Sequence, residues 1–254
     1  KSLWESDVNR YTPGITINYL NDYYPISLIV NSWYVNPNPT LYKGYGIYIP
    51  MFSPRSSETI GVGQYTDIKL LVDLCNKIGA SMIQLLPIND TIDDGDWEDS
   101  SPYRQISCFA LHPIYVNLLQ IVPELPSEIY NDIQVQKWNM EQKQEVDFPV
   151  VLKYKMEVMR KIFDQLIVDT LGENDSYQQF VNHEIEWLRP YALFIYYREK
   201  YGTSDFRTWP EEHREMSSNK MSTEWSRLKD DLQFTCWVQY ILDRQFKEAA
   251  QYAT

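Results

Sequence analysis

Cysteine, histidine and glycine are scarce in this chain, basic residues are outnumbered by acidic ones, and long apolar runs are missing. Each shortage closes a class of function. The three cysteines, Cys75, Cys108 and Cys236, are odd in number and show no CxxC or Cys/His ligand spacing, so neither a disulfide scaffold nor a zinc site is indicated. Unpaired thiols fit a reducing setting, and a cytoplasmic location is expected. The three histidines, His112, His183 and His213, lie far apart, and the sequence contains no His-Asp pair and no GxSxG elbow. Gly61-Val62-Gly63 lacks the further Gly, or the Lys followed by Ser or Thr, that a phosphate cradle requires. With 35 acidic against 23 basic residues the net charge is -12, a balance that repels nucleic acid and anionic membrane surfaces. No run approaches the roughly 20 apolar residues of a membrane span. No cofactor or metal signature is present.

What the chain has in quantity is aromatic side chains, among them twenty Tyr and eight Trp in 254 residues. Such groups join an apolar face to a hydrogen-bonding edge, which suits sugar rings as well as ordinary packing. Hydrophobic residues make up 44% of the chain, enough for a substantial core. Residues 1–43 carry Pro13, Pro25, Pro37 and Pro39 and read as an extended arm or linker. Residues 44–52, GYGIYIPMF, predict a fully buried strand. Tyr65, Ile68, Leu71, Val72 and Cys75 then recur at helical spacing until Gly79 stops the pattern. Residues 81–87, SMIQLLP, repeat the buried-strand pattern, so a parallel βαβ unit is expected over 44–120. In such units the loops after the strands, 53–63 and 88–113, share the binding face.

From residue 121 the pattern is helical. Ser127 reads as the N-cap of a helix over 128–134, and residues 147–170 predict one continuous helix. Another spans 177–201 with Pro190 breaking or kinking it, and 223–253 reads as a last long helix. The expected organisation is a helical insertion at 121–222 and a closing helix at 223–254.

The chemistry concentrates at residues 89–103, where NDTIDDGDWED is followed by Ser100, Ser101, Pro102 and Tyr103. A neutral carbohydrate needs fixed donors and acceptors for its hydroxyls and an apolar plate for its C–H faces, and Asp99, Ser101, Tyr103 and Trp97 supply both. The same residues also suit an acidic solvated turn, with Asp99 and Ser101 capping their own backbone and Tyr103 simply packed. The aspartates do not follow the EF-hand pattern. Glu98 and Asp99 are adjacent, a poor spacing for a catalytic carboxylate pair.

The blocks GVGQYTDIKLLVDLCNKIGASMIQLLPIND and SPYRQISCFALHPIYVNL resemble the amylomaltases, the 4-α-glucanotransferases of glycoside hydrolase family 77. The similarity is greatest to their disproportionating branch, with its LLPxND and SPYxxxSxFALHPxY patterns. The later WLRPYALFIYYREKYG and WVQYILDRQFKEAA are similar to helices of that family. The resemblance implies the first two strands of a partial (β/α)8 TIM barrel, an α/β fold with a large α-helical insertion. It also implies transfer of α-1,4-glucan segments, maltose or maltodextrin to glucan acceptors, by a retaining double displacement that needs two carboxylates. Asp99, Ser101, Tyr103 and Trp97 carry over as substrate contacts. His112 stands where other members have Asn, and is expected either at the substrate or holding the end of the loop. The family's catalytic blocks, an Asp before His, a Glu before Asp-Leu-Gly and a His-Asp pair, are not in this sequence. The expectation is a fragment that binds glucan without supplying the catalytic groups, partnered by the remaining barrel segment or by itself. A non-catalytic glucan-binding or partner-docking module is the alternative.

Overall fold

A computed structural model describes residues 44–92, 101–143 and 145–253; the arm read at 1–43 lies outside them. Strand β1 (Gly46–Ile49) pairs in parallel with β2 (Met82–Leu85), with Gly46 opposite Met82 and Ile49 opposite Leu85. A parallel pair needs a crossover, and helix α1 (Asp67–Ile78) supplies it. Ile68, Val72 and Cys75 form its inward stripe, as their spacing predicts. Gly79 ends it at φ 74°, a left-handed conformation that only glycine adopts without strain.

The two strands are not fully buried as expected. Tyr48 is 59% and Met82 58% exposed, while Ile83 and Leu85 pack on the core. Two strands covered by helix on one face leave the other face open, so an apolar run that reads as doubly buried is here buried on one side.

Helices build the remainder. α2 (Ser127–Glu141) starts after Pro126 with Ser127 inside it, so Ser127 is not the cap, and the helix runs on past the expected end at Gln134 to Glu141. α3 (Phe148–Ile162) is capped by Asp147, whose carboxylate accepts from the Val150 amide, and passes into a wide π turn over Phe163–Ile167. α4 (Asp175–His183) and α5 (Ile185–Tyr201) are separated at Glu184. The break therefore falls ahead of Pro190, which sits inside α5 among the buried Leu188, Tyr191, Ala192 and Leu193. Packing of those neighbours outweighs the one backbone bond that a proline forfeits.

After the short α6 (Glu211–Arg214), the last expected helix is two, α7 (Ser218–Arg227) and α8 (Lys229–Tyr252), interrupted at buried Leu228. α8 is the spine: it packs on α1, α4, α5 and α7 and on the turn Pro113–Tyr115. Trp237, Leu242 and Ala249 are buried along it, and burial of a side chain the size of Leu242 contributes about 1.5–3 kcal/mol. Among the described residues no helix is long and apolar enough to cross a membrane.

Candidate functional site

The loop that follows β2 is closed at its base by backbone pairing. Asn89 bridges Leu111 and Thr91 bridges Gln105 in antiparallel fashion. The amides of Asp90 and His112 donate to Ala110 and Ile88 (2.9 and 3.0 Å), and those of Ile106 and Ile92 to Asp90 and Arg104 (2.9 and 3.1 Å). The outgoing and returning limbs thus form a short clasp.

His112 locks the base. It is 2% exposed; its Nδ1 accepts from the Ile114 amide at 3.2 Å, and its Nε2 lies 3.2 Å from the Thr91 hydroxyl. An accepting Nδ1 leaves the proton on Nε2, so the ring is neutral. Burial, with Arg198 and Lys155 nearby, holds its pKa down at about 3. Asp90 stands 3.8 Å from Nδ1, beyond hydrogen-bond range. Both ring nitrogens are therefore engaged within the protein.

Residues 111–117 return from the loop into the core, where every backbone polar group needs a partner. Side chains from distant helices provide them. Gln239 on α8 pairs with Leu111 as one peptide pairs with another, accepting from its amide and donating to its carbonyl, both at 2.9 Å. Gln245, six residues on, repeats this pairing with Asn117, again at 2.9 Å twice. Lys155 of α3, fully buried, donates to the Ile114 and Val116 carbonyls at 2.7 and 2.9 Å. Burial pushes its pKa down to about 7. The Tyr65 hydroxyl lies 3.2 Å from the carbonyls of both Ile88 and His112. Asp90, 5% exposed, accepts from the Tyr191 hydroxyl at 2.8 Å, and that oxygen lies 3.3 Å from Gln239 Nε2.

On this base stands a turn in which the Arg104 amide donates to the Ser101 carbonyl at 3.1 Å, with Pro102 and Tyr103 at its centre. Ser101 is half-buried and Tyr103 is 69% exposed. The Tyr103 hydroxyl, more than desolvation, raises the pKa of the Tyr48 phenol on β1. The turn brings Ser101 and Tyr103 together; Asp99 and Trp97 lie outside the described residues. Sequence reasoning missed Tyr48, which alternation along β1 could have found. Phe109, 63% exposed, stacks on Trp187 at 6.0 Å.

The loop after β1 is also fixed. Asp67, 3% exposed, accepts from the Ser56 and Thr59 hydroxyls (2.7 and 3.2 Å) and the Gln64 amide (2.8 Å). Gly61 takes φ 71° where a Cβ would come within 2.5 Å of Val151, a packing reason for the glycine that the absent phosphate motif left unexplained. Among the described residues no group of three or more His, Cys, Asp or Glu could hold a metal ion.

The family model of glycoside hydrolase family 77, described as 4-alpha-glucanotransferase, matches residues 49–254. The chain is 38% identical over 214 residues to the 4-alpha-glucanotransferase DPE2 of Oryza sativa subsp. japonica, covering 84% of this chain and 22% of that protein. It is 28% identical over 211 residues to the 4-alpha-glucanotransferase of Chlamydia caviae, covering 82% and 38%. The chain thus spans about a fifth to two fifths of the length of these curated relatives. Among solved structures, amylomaltase from Corynebacterium glutamicum superposes with a TM-score of 0.63 at 20% identity, over 83% of this chain and 28% of that one. Amylomaltase from Streptococcus agalactiae in complex with acarbose superposes at 0.61 and 17%, over 83% and 41%. The fold of those enzymes recurs here in the part that the chain covers, and the chain belongs to the 4-alpha-glucanotransferases of glycoside hydrolase family 77.

Proposed function

We propose that this chain forms one wall of the glucan-binding cleft of a 4-α-glucanotransferase and contributes substrate contacts but no catalytic carboxylate. The observation that carries this reading is Tyr103, a large aromatic held 69% exposed on a loop whose base is tightly bonded. An exposed aromatic on a preorganised support is a stacking platform for a sugar ring, since little freedom remains to be lost when the ring binds. Ser101, in the same turn, offers a hydroxyl beside it. Asp99 and Trp97 complete the proposed contact set, while His112 holds the loop from below.

The open face of the sheet supports a partial barrel. Tyr48 and Met82 face outward on it, and Leu70, Leu74 and Ile78 form an exposed apolar stripe on α1 at spacings of four. Further strands and helices of a (β/α)8 barrel would cover both. A retaining transfer of α-1,4-glucan segments needs two carboxylates about 5–5.5 Å apart. The family's blocks for them are not in this sequence, so they come from outside it.

The test is the affinity of the 254-residue chain for maltoheptaose, measured by isothermal titration calorimetry. Tyr103→Ala is expected to weaken binding by about threefold to tenfold, the worth of one aromatic contact. An unchanged affinity would overturn the assignment.

A further inference from the structure

We propose that Gln239 and Tyr191 are positioning residues for the loop at 88–113, setting the separation of its two limbs from helices far away in sequence. The inference rests on the reading of that loop as the glucan-contacting element and adds what sets the spacing of its limbs at 88–92 and 101–113. The outgoing limb is held at Asp90, which accepts from the Tyr191 hydroxyl of α5 at 2.8 Å. The returning limb is held at Leu111, whose amide and carbonyl are both bonded to the Gln239 side chain of α8 at 2.9 Å. The two holds are one chain of bonds, because the Tyr191 oxygen accepts from Gln239 Nε2 at 3.3 Å while its proton goes to Asp90.

All three side chains are buried, with Gln239 at 1%, Asp90 at 5% and Tyr191 at 8% exposure. Water therefore does not stand in readily for a missing partner, and bonds in such a chain strengthen one another. Gln245 supplies an internal control. It makes the same two-point pairing with Asn117, but beyond the loop and without a link to the outgoing limb. A purely structural role predicts that the two glutamines behave alike. A positioning role predicts that they differ.

The experiment compares Gln239→Leu, Tyr191→Phe and Gln245→Leu in the full 254-residue chain. Two readouts are taken: amide hydrogen exchange at Asp90, Ile92 and Ile106, whose N–H groups join the limbs, and affinity for maltoheptaose. Gln239→Leu is expected to speed exchange at these amides by about tenfold and to weaken affinity by a similar factor, with Tyr191→Phe giving about threefold. Gln245→Leu should lower thermal stability comparably while leaving both readouts within about twofold. The proposal is overturned if Gln239→Leu and Gln245→Leu move both readouts alike, or if exchange at Asp90 and Ile106 is unaffected. Should Gln239→Leu fail to fold, Tyr191→Phe decides on the same amides. Failure of the wild-type chain to bind maltoheptaose counts against the glucan reading alone, since exchange still decides the positioning role.

Discussion

His112 shows how one side chain couples the loop to pH. Unfolded, a histidine titrates near 6.5; folded here, it titrates at about 3 because burial disfavours its charge. Between those values the unfolded chain takes up a proton that the folded chain refuses, so this residue's contribution to stability is complete above pH 6.5 and is lost as pH falls toward 3. The slope from this one group is at most about 1.4 kcal/mol per pH unit. His112→Asn keeps an acceptor near the Ile114 amide but cannot titrate. Urea unfolding at pH 7, 5 and 4 is expected to show a shallower loss of stability in the variant than in the wild type. Equal slopes would show that His112 does not titrate as described. Its place at the close of the polar loop was legible from the sequence, but its buried partners Ile114 and Thr91 were not. Gln239 was not legible. A glutamine on a helix face carries no sign of which backbone it will meet 128 residues away.

Among the elements, the ones fixed by local chemistry were readable and the ones fixed by packing were not. Helix α1 follows from its apolar spacing and its terminal glycine. Gly79→Ala is expected to destabilise the chain by about 1 kcal/mol, because φ 74° is strained for any residue with a Cβ. A fall in the thermal midpoint of a few degrees would accord with this; an unchanged or raised midpoint would mean that the helix end relaxes. The break at Glu184 rather than Pro190 could not be read, because burial of Leu188, Ala192 and Leu193 holds the proline turn in place. The strands were found but their exposure was misjudged. An apolar run records which residues tolerate burial, whereas the number of covered faces depends on the sheet around them. In the loop, Ser101 and Tyr103 were singled out by residue type and by the family resemblance, whereas their presentation depends on the clasp beneath, which is built from Asp90, Leu111 and two remote helices.

At the scale of the whole molecule, a small parallel sheet is backed by a helical body, and α8 holds the returning limb at Leu111 and Asn117 to that body through Gln239 and Gln245. The bonded base of the loop is buried, while Tyr103 in the turn above it is 69% exposed. The proposed division of labour is that helices outside the loop hold it and the loop receives the glucan. Hydrogen exchange with and without saturating maltoheptaose tests it most directly. Binding is predicted to slow exchange across residues 101–106 and to leave the α5 and α8 amides unchanged; protection confined to those helices, or none at residues 101–106, would contradict it.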